Sequence, residues 1–408
     1  MLKLIPAPKH YSWGSDEPNN LLKKIFLSCL SKLSDTKKKE ELLTEAAQQS
    51  IWAEIWMGTH PSGMTLTAEK GGALLDTIKK DLPFLFKVLA IKQCLSIQTH
   101  PDSESAIKLH SKDHKNYPDA NPKPEMAIAI DYLDAFCGFC SPEELKENLH
   151  LYQSVRELIT KHKHSALLTI DILNSENIDH HVKELIVLFN TLPHHTLESV
   201  LDKIEEEINA KSTKTFRDLT MLKMRKEFGN DSGILVSLLL KIVHLKPFEA
   251  ISIPALVPHA YISGTIFECM APSDNVIRLG LTPKFKDADN FLNLFQYNHY
   301  IQTRIQPQIY SLAHANAELI HYPTAFGQYF DVFIVKSKAH ANESHKEVEL
   351  ELTQNTILLN MGRVVSVQGN LVDKFDCVMV NAGKLDLVFT HTELLLVVCT
   401  QSPVIRSG

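Results

Sequence analysis

Between residues 139 and 228 the chain contains no glycine. On either side, glycine and proline return and cut the sequence into short apolar or alternating runs. This contrast constrains the fold more than any other feature. A long glycine-free stretch suits packed helices, where each glycine costs about 1 kcal/mol relative to alanine. Short runs bounded by turn residues suit strands. The chain therefore reads as β structure, interrupted by a helical block, then more β structure.

Finer signals agree. In the first β region, "PFLFKVLAI", "CLSIQTH" and "MAIAI" are separated by Gly, Pro, Asp and Asn. Ser141-Pro142-Glu143-Glu144 is a helix start, with a serine cap, proline at the first turn and a glutamate that can close a capping box. Leu197, Leu201, Ile204 and Ile208 recur at helical spacing. "GNDSG" (229–233) ends the block, and "ILVSLLLKIVHL" is long enough to be helix running into strand. The last hundred or so residues, including "YFDVFIVKSK" and "NTILLNMGRVVSVQGNLV", are strand-like. Residues 19–49 are charged and glycine-free, and read as a helical excursion with solvated charges. The expected plan is a discontinuous β domain (1–140 and 235–320), an inserted helical domain (141–234) and a C-terminal β domain (321–408).

A chain of 408 residues is too long for one ordinary core. Its formal net charge of -6 argues against a nucleic-acid footprint. No apolar run approaches the roughly 20 residues that span a bilayer. The start, "MLKLIPAPKHYSWG", lacks the apolar core of a signal peptide. The seven cysteines are scattered and odd in number, as expected of ordinary buried thiols in a cytosolic protein. Cys137-Gly-Phe-Cys140 has no second pair to complete a structural zinc site. No phosphate loop, dinucleotide fingerprint, G-x-S-x-G elbow or H-E-x-x-H is present.

Chemistry gathers elsewhere. In "LSIQTHP" (95–101) Gln98 and His100 are two apart, so on a strand they share a face. "NPKPEMAIAI" carries Lys123 and Glu125 ahead of an apolar run. "VPHAYISGTIFECMAPSDNVIRLGLTPKF" carries His259, Glu268, Asp274, Arg278 and Lys284. Gln98, His100, Glu125 and His259 together offer an amide oxygen, two imidazoles and a carboxylate. Such a mixed nitrogen and oxygen set suits a divalent metal of the zinc type. Taken singly, each has an ordinary explanation: a histidine beside proline in a loop, or a surface glutamate.

Several segments resemble type I phosphomannose isomerases, zinc enzymes of the cupin superfamily. They are "YSWGS" (11–15), "AEIWMGTHPSG" (53–63), "PFLFKVLAIKQCLSIQTHPD" (83–102), "KPEMAIAI" (123–130), "PHAYISG" (258–264) and "ECMAPSDNVIRLGLTPKFKD" (268–287), in the family's order. The resemblance implies two cupin-like jelly-roll β domains plus a helical domain, and one Zn2+ per chain held by Gln98, His100, Glu125 and His259. It places Lys123, Glu268, Asp274 and Arg278 at catalytic positions, and Trp13, Lys87 and Lys284 at substrate-binding ones. The implied reaction interconverts mannose 6-phosphate and fructose 6-phosphate through an enediol, in a cytoplasmic monomer; a homo-oligomer is also compatible. Asp274 and Glu268 are the candidate bases, with Lys123 a third if its pKa is depressed. Arg278 can stabilise an oxyanion or grip the phosphate.

The chain departs from the family in three places. Pro122 stands where the family usually has a histidine just before the lysine, Ser103 where it commonly has a lysine, and "VPHAY" lacks a preceding Asn-Glu. Two other readings follow from these departures. One is a related cupin isomerase for another phosphosugar; the other is a sugar-phosphate-binding protein with impaired catalysis.

Overall fold

The structure, a computed structural model, describes residues 1–162, 168, 178–295, 297, 303–312, 317–337, 346–389, 394–399 and 404–405. Three sheets dominate it, and the longest run of helices, from Pro142–His150 to Gly233–Val236, falls between the strands Glu125–Phe139 and Leu240–Leu245. It is the mainly β architecture with a helical insertion that the sequence led us to expect.

The largest sheet carries the candidate site. Its order is Arg304–Ile305, Ala250–Ile253, Glu125–Phe139, His259–Met270, Leu85–Ile91, Glu54–Met57 and Ala7–Lys9. Ile97–Thr99 pairs with His259–Met270 and, on its other edge, with Ile277–Gly280. All these pairings are antiparallel. Leu85–Ile91 is buried at every position, which explains its nearly continuous apolar run. Lys87 is the exception within it, a lysine only 6% exposed.

From Pro142 to Phe228 the described part of the glycine-free block is helices joined by short turns. Ser141 accepts from the Glu144 N–H, and the Glu144 carboxylate accepts from the Ser141 N–H, closing the capping box of Pro142–His150. Apolar stripes from these helices (Leu145, Val155, Leu185, Phe189, Leu201, Ile204) share one core with Ile234–Leu239. The "ILVSLLLKIVHL" run is a helical turn over Gly233–Val236, a 3-10 turn, then the strand Leu240–Leu245.

Beyond residue 305, strands of an eight-stranded and a five-stranded sheet enclose an aliphatic core that includes Val348, Leu350, Leu358, Val365, Val378, Leu385 and Leu387. Leu2–Ile5 belongs here: it pairs with Cys377–Val380 and Leu66–Thr67. The start of the chain is thus built into the C-terminal sheet, a pairing no local signal reports.

Residues 19–49 depart from the expectation in one respect. Two helices form, Leu21–Ser31 and Thr36–Gln48. The first buries Leu22, Ile25, Phe26, Cys29 and Leu30 against Trp52, Cys377 and Met379. It therefore joins the two β regions. Only the second, with Ala46 its single buried residue, is the solvated excursion. Among the described residues no helix is long and apolar enough to cross a membrane, and Cys29, Cys94, Cys137, Cys140, Cys269 and Cys377 are free and buried.

Candidate active site

Strand register brings the sequence candidates together. Glu268 faces Lys87 across one pair and Ala127 across the other, and Lys87 faces Trp56 on its far side. Side chains on one rung project to the same face. Glu54 and Glu125 lie two residues from Trp56 and Ala127, so they join that face. On a second rung Gln98 faces His259 on one neighbour and Arg278 on the other. His100 follows the end of the Ile97–Thr99 strand, and Pro101 turns the chain away.

At the inner end, His100, Glu125 and His259 are at most 2% exposed, and their ligand-type atoms lie within 4.8 Å of one another. His100 Nε2 is 3.3 Å from Glu125 Oε1, and His259 Nε2 is 3.5 Å from Glu125 Oε2. Gln98 Nε2 is 3.3 Å from His259 Nε2, while its Oε1 accepts from Ser96 Oγ at 2.8 Å. A half-turn of the amide would aim the oxygen inward instead. Each imidazole has its Nδ1 on a backbone carbonyl, His100 on Asn275 at 2.9 Å and His259 on Val257 at 3.0 Å. Those contacts place the proton on Nδ1 and leave the Nε2 lone pairs facing inward. Burial pushes the His100 imidazole down to about 4, although Glu125 pulls the other way. His100 Nε2 is buried and makes no hydrogen bond. Orphaned buried nitrogens are rare in native folds. Two inward imidazole nitrogens, a carboxylate and an amide fit a divalent ion of the zinc type.

Around this set lies a charged second group. Lys123 Nζ is 3.4 Å from Glu125 Oε1. Burial opposes the Glu125 charge, but His100 and Lys123 hold its carboxyl well below the usual range. Lys87 Nζ lies between Glu268 Oε2 (3.1 Å) and Glu54 Oε2 (3.5 Å), and 4.8 Å above the Trp56 ring. Burial alone would push the ammonium down; Glu54 and Glu268 outweigh it and raise it. Trp56 Nε1 donates to Glu54, and Tyr261 Oη donates to Glu268 Oε1 at 3.0 Å. Burial pushes the Glu268 carboxyl up against the pull of Lys87. Three buried carboxylates thus face two buried lysines, a net negative charge that a divalent cation would reverse.

The outer wall is different. Arg278 and Lys284 line the same cleft of about 370 Å³, and among the described residues neither has a carboxylate within ion-pair distance. Burial pushes Arg278 down. Burial and the Arg278 charge push Lys284 down. Lys284 Nζ sits 5.7 Å over the Tyr11 ring, which stacks on Trp13 at 5.8 Å. Asp274 lies at the mouth with its side chain 42% exposed.

All eleven sequence candidates, Trp13, Lys87, Gln98, His100, Lys123, Glu125, His259, Glu268, Asp274, Arg278 and Lys284, therefore surround or line one cleft. Lys87 is not the free cation that a substrate-binding role would want, because two carboxylates hold it. Pro122 contributes no titratable group there, and Ser103 is exposed at the first position of the Ser103–Lys112 helix. Sequence reasoning missed Glu54, Trp56, His60, Tyr11 and Tyr261 as members. The signals were present: polar Glu54 alternating with apolar neighbours in a buried strand, and Tyr261 two residues after His259.

Comparison with known proteins agrees with this geometry. Residues 1–141 match the model of the phosphomannose isomerase type I catalytic domain. The chain is similar to a mannose-6-phosphate isomerase of Ogataea parapolymorpha, 33% identical over 78% of this chain and 78% of the relative. It is 33% identical to one from Emericella nidulans, over 78% of this chain and 75% of the relative. It is 35% identical to a probable mannose-6-phosphate isomerase of Caenorhabditis elegans, over 75% and 74%. Among solved structures, a zinc-bound mannose 6-phosphate isomerase superposes with a TM-score of 0.77 at 24% identity, covering 98% of this chain and 99% of that one. A phosphomannose isomerase mutant from Salmonella typhimurium gives 0.78 at 22% identity, covering 98% and 100%. The cupin-type fold expected from the sequence is the fold these neighbours share. With identity above 30% sustained over three quarters of several relatives, and the motifs converging on one cleft, the chain belongs to the type I mannose-6-phosphate isomerase family.

Proposed function

We propose that this protein interconverts mannose 6-phosphate and fructose 6-phosphate, with Zn2+ held by Gln98, His100, Glu125 and His259. The observation that carries the reading is the buried His100–Glu125–His259 set at the inner end of a cleft whose outer wall bears Arg278 and Lys284, two cations with no carboxylate in ion-pair reach among the described residues. A zinc ion held there would polarise the C1 and C2 oxygens of the open-chain sugar as a Lewis acid. The other requirements fall to side chains of this chain.

Aldose–ketose interconversion takes a proton from one carbon and returns it to the next through an enediol. Glu268 is our choice as the proton carrier. It is buried, its carboxyl is raised, and Tyr261 and Lys87 fix its oxygens. A raised carboxyl brings its pKa closer to the working pH, where proton transfer is most efficient. Lys123 donates toward the reacting oxygens from beside Glu125, and Asp274 meets a hydroxyl proton at the mouth. Arg278 and Lys284 hold the phosphate dianion at the opposite end, where no carboxylate of the described residues pairs with them. Lys87 keeps Glu54 and Glu268 in place rather than touching the phosphate.

The helical block packs its apolar stripes into one core with Ile97, Phe136, Ile262 and Leu279 of the catalytic sheet, and the strands after residue 316 share a second, aliphatic core. These cores support the proposed division into an interrupted catalytic domain, a helical insertion and a C-terminal β domain. Turnover on a panel of aldose phosphates tests the substrate. Mannose 6-phosphate should be turned over best by at least about tenfold; a better substrate among the others would move the reading to the related phosphosugar isomerase.

A further inference from the structure

His60 belongs to no role assigned above, yet it is 7% exposed and lies against Trp56 and Asp274, which line the cleft. It comes from "GTHPSG", where a 3-10 turn over Pro61–Gly63 follows it. The Ser62 N–H donates to His60 Nδ1 at 3.2 Å. An accepting Nδ1 leaves the proton on Nε2 in the neutral ring. Nε2 lies 3.6 Å from Asp274 Oδ1. Ser62 Oγ lies 3.3 Å from the other oxygen, Asp274 Oδ2. One short turn thus presents a donor to each oxygen of a carboxylate more than two hundred residues away.

Both partners are themselves fixed. The His60 ring packs edge-on against Trp56, with centroids 5.3 Å apart. Trp56 in turn is held between Lys9 and Lys87 and donates to Glu54. On the other side, Asp119 grips the loop of Asp274. It accepts from the Asp274 N–H at 2.8 Å, from Ser273 Oγ at 2.9 Å and from Asn275 Nδ2 at 2.7 Å through its backbone carbonyl. Asp119 thus holds the Asp274 main chain and the flanking Ser273 and Asn275 side chains, but not the Asp274 carboxylate. Among the described residues, the His60–Ser62 turn alone comes within ion-pair or hydrogen-bond reach of the carboxylate, which lies partly out in solvent.

We infer that His60 is a positioning residue for Asp274: the His60–Ser62 turn aims that carboxylate into the cleft for proton exchange with a sugar hydroxyl. The 3.6 Å contact is longer than a hydrogen bond and closes to one with a movement of roughly 0.7 Å. Catalytic contacts are commonly long in the free enzyme and tighten around substrate. The segment opposite, Asn121–Pro124, offers no imidazole, since Pro122 carries none. The inference rests on the proposed isomerase function and adds to it a member that acts through another residue.

The test compares His60→Phe, His60→Gln, Asp274→Asn and the His60→Phe/Asp274→Asn pair, each checked for zinc content and melting temperature. Wild-type turnover of mannose 6-phosphate tests the function itself. Given that turnover, His60→Phe should lower kcat by about ten- to a hundredfold with KM changed less than about twofold. His60→Gln, whose amide can return a donor near the Nε2 position, should recover most of the loss. In the Asp274→Asn background, His60→Phe should add less than about a twofold loss. Equal losses in the two backgrounds, or an unchanged kcat in His60→Phe or in Asp274→Asn, would overturn the inference and leave the function standing. Crystal structures give an answer independent of substrate. The Asp274 carboxylate should leave its place in His60→Phe and keep it in His60→Gln; a carboxylate that stays put in both contradicts the inference.

Discussion

The two β regions of this molecule are built alike and filled differently. Among the described residues, the core between the C-terminal sheets is built from Val, Leu, Ala and Phe side chains. The sheet around Leu85–Ile91 turns Glu54, Lys87, Glu125, His259 and Glu268 inward, all less than 9% exposed. Both regions keep the period-two alternation that a strand imposes. One uses the inner face for apolar burial, which contributes about 25 cal/mol per Å². The other gives part of that up to hold charges that are stable only as a mutually paired set. The lesson is that one architecture serves stability in one copy and chemistry in the other, and that the charges of the second must be counted together.

Substitutions can break this contrast, and the largest effect should come at Glu125. Glu125→Gln keeps the shape but removes the charge between His100 and His259. Turnover should fall on the order of a thousandfold, from loss of several kcal/mol of Lewis-acid stabilisation, and zinc content should fall with it. Lys87→Met should come next. It leaves Glu54 and Glu268 without their shared counter-charge, and breaking a buried pair costs about 3–5 kcal/mol. Denaturant melts should show that loss, together with lower turnover in whatever remains folded.

Leu358→Ala applies the same scale of damage to the other region. Leu358 is fully buried, so the cavity should cost about 2–5 kcal/mol. Here kcat per folded molecule should not change. A Leu358→Ala protein that is both folded and slow would show that the cavity is felt at the site, through the core that Leu359 and Met379 share with Phe86 and Val88.

The smallest effect concerns pH and lies in neither β region. Asp218, in the helical block, is fully buried, and burial pushes its carboxyl up. Hydrogen bonds from Lys211, Tyr152 and Thr215 outweigh burial and hold it at about 2. A carboxyl depressed on folding adds stability above its unfolded value near 4, and loses it as pH falls toward 2. Acid melts of the wild type should weaken through that window. Asp218→Asn should be less stable at neutral pH and should show a flatter acid limb. Identical acid limbs would remove Asp218 from the account.

Much of this was legible in the sequence, and the part that was not shares one physical cause. The helical block announced itself through its lack of glycine, and the Ser141 capping box formed as spelled. Gln98 and His100 share a site because a strand sets their spacing. Arg278 and Lys284 were legible through the "NVIRLGLTPK" motif. Glu54 and Tyr261 were not, although local alternation placed both on an inner face. Tyr261 meets Glu268 of its own strand past register shifts that break the simple alternation, and the partner of Glu54, Lys87, is fixed by cross-strand register, which residues distant in sequence decide. The same holds for Leu2–Ile5, which pairs with a strand near the other end of the chain. Lys87 is the instructive case: resemblance pointed to substrate, whereas its distances to Glu54 and Glu268 point to a structural counter-charge.

The most direct test of the central claim is to measure bound zinc and mannose-6-phosphate isomerase turnover on the same samples. The purified protein would be stripped with chelator and reloaded in steps. Turnover should rise in proportion to zinc and level off at about one ion per chain. Turnover that ignores the zinc content, or stays absent in fully loaded protein, would contradict the account.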